Sequence, residues 1–112
     1  MNITEEIHGD VLVLRLAEPR LDASRAPALR EELIRRVEAG RDRIILDLSA
    51  TEFMDSSGLG ALVSCLKRMG TRGTLGIAGA QGAVARLFTL TRMDRVFALH
   101  PTVDAALAQM AG

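Results

Sequence analysis

The chain has 112 residues, 48% hydrophobic and 25% charged, and its 14 basic and 14 acidic side chains balance to a formal net charge of +0. This is the length and composition of one folded soluble unit, so a single domain over residues 1–112 is expected. The balance excludes the basic excess on which duplex binding rests, and three Phe without Tyr or Trp leave little for unpaired bases to stack on, so no nucleic-acid partner is expected.

Cys65 is the lone cysteine, which rules out an internal disulfide framework and points to a reducing compartment, with the thiol as core filler. The opening "MNITEEIHGD" is acidic where a secretion signal is basic, and no segment approaches bilayer-spanning length. A cytoplasmic protein without a membrane partner is expected. A neutral chain with no evident apolar surface stripe is most simply a monomer.

Apolar residues cluster at 3–7 and 11–16 around the turn signal "HGD", which reads as two strands joined in a hairpin. In "LDASRAPALREELIRRVEAG", Ala26, Leu29, Leu33 and Val37 share one helical face, with Arg30, Glu31, Arg35 and Arg36 mostly away from it. Ser24 is the expected cap, Pro27 fits the first turn, and Gly40 ends the helix. "RIILDL" at 43–48 is a continuous apolar run, which suits a strand covered on both faces of a parallel sheet.

Leu59, Leu62, Val63, Leu66 and Met69 then recur at helical spacing. "TLGIAG" reads as a strand, "GAVARLFTLT" as a short helix, "RVFAL" as a last strand and "TVDAALAQM" as a terminal helix after Pro101. The fold class is therefore α/β, with an N-terminal hairpin and crossovers through helices packed on a sheet.

The richest stretch chemically is "TEFMDSSGLGALVSCL" at 51–66, which follows the carboxyl end of the central strand, where ligands of open α/β sheets collect. A helix start offers unpaired N–H groups and a partial positive charge, so Ser56 or Ser57 could cap the helix or carry an anion beside it, and Asp55 is a further potential cap. A nucleophilic serine needs a base. His8 falls in the hairpin turn, His100 precedes Pro101, and no G-x-S-x-G pattern surrounds either serine. The "GLG" lacks the rest of a phosphate cradle, and two His with one Cys show no metal spacing. No catalytic residue, cofactor or metal is expected, and cap and modification site both remain open on local chemistry.

The segment "IILDLSATEFMDSSGLGALVSCLKRM" resembles the central signature of bacterial STAS domains, and more narrowly that of the anti-sigma factor antagonists. The resemblance implies a STAS-like mixed, mostly parallel sheet of about five strands with about four helices. It implies that Ser56 is the phosphoacceptor of an ATP-dependent serine kinase that is itself an anti-sigma factor, with a metal-dependent serine phosphatase as the resetting partner. Asp55, Ser57, Gly58 and Leu59 would form the surrounding contact surface. "LD" at 21–22 resembles a second signature whose aspartate, here Asp22, lies near the phosphorylation site and helps dock the kinase. This chain departs from the pattern there, because "AEPRLD" puts Pro19 and Arg20 where the family usually has a glycine. The same fold also serves as an accessory or scaffold module without a phosphorylation cycle, and a nucleotide-binding enzyme is a third reading that nucleotide affinity would reveal.

Overall fold

The computed structural model describes residues 1–110. Strands β1 (Ile3–His8) and β2 (Val11–Leu16) pair antiparallel. Gly9 and Asp10 form the two-residue turn, and Gly9 takes the positive φ, 64°, that such turns require. His8, expected in the turn, is instead the last paired residue of β1, opposite Val11. The chain continues through β3 (Arg20–Leu21), α1 (Ala26–Glu38), β4 (Arg43–Asp47), β5 (Phe53–Met54), α2 (Ser56–Met69), β6 (Thr74–Ala78), α3 (Gly82–Leu90), a 3₁₀ turn (Met93–Arg95), β7 (Ala98–His100) and α4 (Val103–Met110).

The main sheet has the order β1-β2-β4-β6-β7, antiparallel in the hairpin and parallel elsewhere. Its mixed α/β architecture of five strands and four helices is the one expected. The unbroken apolar run of β4 follows from its central position. Ile44 and Leu46 join the larger core with Leu12, Leu14, Leu33, Leu62 and Phe88, beneath α1, α2 and α3. Ile45 faces the other way and packs with Val11, Val13, Val103 and Ala106 beneath α4. Residues that alternate between faces are therefore buried on both.

Three local expectations change. The start of α1 carries no serine cap: Arg25 is the N-cap residue, and Ser24 turns back to donate its N–H and hydroxyl to Asp22 Oδ1 at 3.1 and 2.7 Å. The Asp22 carbonyl accepts the N–H groups of Arg25 and Ala26, which makes a serine cap unnecessary. Arg36 is not a free surface charge. Its side chain is 12% exposed and spans Glu32 and Glu5, at 2.8 and 2.5 Å, tying α1 to β1.

The last strand starts later than "RVFAL" suggests, because Arg95 closes the 3₁₀ turn and Phe97 drops into the core edge-on to Phe88, with ring centroids 5.9 Å apart. Pairing with β6 begins at Ala98. A separate two-stranded parallel ladder, β3 with β5, was not expected at all.

Candidate functional site

The start of α2 is built by Asp55. Its backbone is extended, φ −111° and ψ −173°, and its Oδ1 accepts the N–H groups of Ser57 at 2.9 Å and Gly58 at 3.3 Å. Asp55 is thus the helix cap, and no serine hydroxyl takes part in it. Ser56 and Ser57 occupy the first two helical positions; Ser56 is exposed and Ser57 half-buried. The next two residues turn inward. Leu59 is 6% exposed, and Gly58 lies so close to β3 that an added Cβ would stand 2.4 Å from the Leu21 carbonyl oxygen.

That close approach joins the two sequence signatures in space. Leu21 pairs with Met54 across the small ladder, and the Asp55 N–H reaches the Leu21 carbonyl at 3.3 Å. Upstream, the Pro19 carbonyl accepts from the N–H groups of Glu52 and Phe53 at 2.8 and 3.1 Å, and the buried Thr51 hydroxyl donates to the Glu18 carbonyl at 2.8 Å. Residues 18–21 and 51–55 are therefore zipped together, which brings Asp22 to the end of the molecule where α2 begins.

Asp22 is itself held. The Ser24 hydroxyl foremost, then the Ser24 N–H and Arg20, keep its carboxyl below the usual carboxylate range. The Arg20 Nε stands 3.5 Å from Asp22 Oδ2, and its guanidinium lies 4.4 Å from the centroid of the Phe53 ring. Pro19 and Arg20, the departure from the usual glycine, thus serve the ladder: Pro19 through its carbonyl and Arg20 by clamping Phe53 and Asp22.

Glu18 and Thr51 carry no signal of this role in the sequence, and Arg20 stands out there only as a departure from the usual glycine. A ladder two residues long has no hydrophobic period, so its only trace in the sequence is the β-prone Phe53 shortly before a cap.

Neither histidine serves as a base for Ser56. His8 lies at the far end of the sheet with Glu6 at 3.2 Å, and the His100 ring lies against Gly76, on the face that α4 covers. Among the described residues no cluster of His, Cys, Asp and Glu could hold a metal ion, and no helix is long and apolar enough to cross a membrane.

Ser56 is thus an exposed serine at the first position of α2, directly after its aspartate cap, with the Asp22 loop held alongside by the parallel ladder of β3 and β5. The STAS domain model matches residues 2–106. This chain belongs to the STAS domain family. Over 112 residues the STAS chain is 29% identical to the anti-sigma-F factor antagonist RsfB of Mycobacterium tuberculosis, spanning 91% of that protein. It is 30% identical over 92 residues to the anti-sigma-B factor antagonist of Staphylococcus epidermidis, covering 81% of this chain and 84% of that one. The crystal structure of an anti-sigma factor antagonist from Mycobacterium paratuberculosis, 31% identical, superposes with a TM-score of 0.90 over 99% of this chain and 94% of the other.

Proposed function

We propose that this STAS domain is an anti-sigma factor antagonist, and that its binding to a kinase-type anti-sigma factor is switched by phosphorylation of Ser56. The observation that carries the reading is the placement of Ser56: exposed, at the first turn of α2, and left out of the cap that Asp55 supplies. The unmodified form captures the kinase and so frees its sigma factor. Asp22, Asp55 and Ser57 belong to the contact surface around Ser56, with Gly58 and Leu59 seating the helix beneath it. The chain is acted upon rather than catalytic. A metal-dependent serine phosphatase resets it, and the metal belongs to that enzyme. The protein works as a cytoplasmic monomer of one domain.

The electrostatics favour a change of binding over a change of fold. A phosphate adds nearly two negative charges, and a helix amino end favours such a group by roughly 0.3 to 1 kcal/mol. At an interface the same group meets any facing carboxylate, and one like-charge pair at about 4 Å costs on the order of 4 kcal/mol at an effective dielectric of 20. Repulsion between molecules therefore exceeds local stabilisation by several-fold. Incubation with the cognate kinase and ATP, followed by mass spectrometry, should place phosphate on Ser56. Undiminished modification of Ser56→Ala would sink the assignment, and a Ser56→Asp protein that bound the kinase as tightly as wild type would exclude charge as the switch.

A further inference from the structure

Among the described residues three polar side chains are buried, those of Glu18, Asp47 and Thr51, and two of the three meet at the foot of the loop that carries Asp22. Asp47 is accounted for by Arg15 and by the Ser49 N–H. Glu18 stands directly before the loop of residues 19–24, and Arg25 directly after it. The Glu18 Oε1 lies 3.6 Å from the Arg25 Nε, so this ion pair closes the loop at its base. The other carboxylate oxygen accepts the Asn2 N–H at 2.9 Å, next to the first residue of β1. Through its side chain and its carbonyl, Glu18 ties together the starts of β1 and α1 and the segment that leads into β5.

We propose that Glu18 is a positioning residue for the phosphoacceptor site: by holding Arg25 it fixes Asp22 beside the start of α2. Resting on the reading of the chain as an antagonist, this adds to it a residue that never touches the kinase. The Arg25 side chain is 56% exposed, and an ion pair with one partner largely in water adds little to stability. What this pair adds is a fixed geometry. The Asp22 carbonyl accepts the N–H groups of Arg25 and Ala26 at 3.0 and 2.9 Å, so Asp22 follows wherever Arg25 is held. The Glu18 side chain is only 10% exposed, so its effect on recognition has to pass through the loop.

Because recognition precedes phosphate transfer, a displaced loop raises KM rather than slowing the chemical step. The test compares the full chain as wild type, Glu18→Gln, Arg25→Gln and the double variant, with the purified cognate kinase and ATP, and by amide exchange without the kinase. Urea unfolding checks that each variant is folded. Glu18→Gln keeps an acceptor for the Asn2 N–H and loses the attraction to Arg25. It should raise the KM for Ser56 phosphorylation about threefold to tenfold, with kcat within about twofold. Exchange at Ser24, Arg25 and Ala26, whose N–H groups bond to Asp22, should quicken about threefold or more. Arg25→Gln should match it, and the double variant should be no worse than either single one, since all three break the same contact. The Ser57 and Gly58 amides, capped by Asp55, should exchange as in wild type.

Wild-type KM in Glu18→Gln would overturn the positioning role while leaving the switch at Ser56 intact, and so would a loss in kcat alone. A double variant whose KM rises by the product of the two single effects would overturn action through the pair, because Arg25 would then meet the kinase on its own. A wild-type chain that neither binds the kinase nor accepts phosphate overturns the antagonist reading, and the positioning role with it, while the exchange rates still show whether Glu18 holds the loop.

Discussion

Two glycines stand two residues apart in α2 and have opposite reasons to be there. A Cβ on Gly58 would sit 2.4 Å from the Leu21 carbonyl and 3.0 Å from Met54 Cγ, whereas one on Gly60 would meet nothing within 4 Å. Helix propensity favours Ala over Gly by about 1 kcal/mol at both positions, so only sterics separate them. Gly60→Ala should stabilise the fold by roughly 0.5 to 1 kcal/mol, and Gly58→Ala should destabilise it by about 1 to 3 kcal/mol through forced separation of α2 from β3. Urea unfolding of both variants checks the contrast, and equal effects would contradict the close contact.

The neighbouring cap makes a second prediction. Asp55→Ala should cost about 1 kcal/mol, because the Ser57 and Gly58 N–H groups lose their acceptor. Ser56→Ala, on an exposed side chain outside the cap, should stay within about 0.5 kcal/mol of wild type. A residue that matters little to stability is free to serve as a switch, and the two aspects can be measured separately.

Elements long enough to show a period were legible in the sequence: α1 and α2 through their apolar faces, β2 and β4 through runs buried on both sides. The hairpin, the order of strands and helices, and the approach of the DSSGL motif to the end of the central strand followed from them. What escaped was set by contacts between distant segments. The β3–β5 ladder is two residues long and exists because Thr51, Pro19 and Leu21 supply a donor and acceptors to partners more than thirty residues away. The choice of Asp55 over a serine as cap depends on backbone angles that composition does not specify, and the late start of β7 depends on Phe97 meeting Phe88.

The ladder can be probed by Thr51→Val, which removes a buried hydroxyl and leaves the Glu18 carbonyl without that donor. We expect a loss of about 1 to 2 kcal/mol and faster amide exchange at Glu52 and Phe53. Unchanged exchange there would mean that the hydroxyl does not hold the two segments together.

At the scale of the whole molecule, stability should depend on pH at both extremes, with opposite signs. Arg15 foremost, then His8, holds the Glu6 carboxyl at about 2, below its ordinary 4.5, and Asp10, Asp22 and Glu32 are lowered as well, chiefly by Arg43, Ser24 and Arg36. Each lowered carboxylate contributes stability that is present above its unfolded pKa and is lost as pH falls, for Glu6 between about 4.5 and 2. These pairs lie largely in solvent, so the loss should be gradual and should shrink in salt.

Burial pushes the Cys65 thiol from 9.0 up to about 11, so the unfolded chain gives up that proton first. Stability from this group is therefore complete below pH 9 and is lost as pH rises toward 11. The same burial should keep Cys65 unreactive toward a thiol reagent at pH 8 until denaturant is added; rapid native-state labelling would contradict a closed core.

The proposed switch adds charge to an unchanged fold. The most direct measurement is a calorimetric titration of the kinase-type anti-sigma factor with the purified unmodified protein and with the protein carrying phosphate on Ser56. Phosphate should weaken binding on the order of 100-fold or more, in keeping with one new like-charge contact at the interface. Equal affinity of the two forms would contradict it.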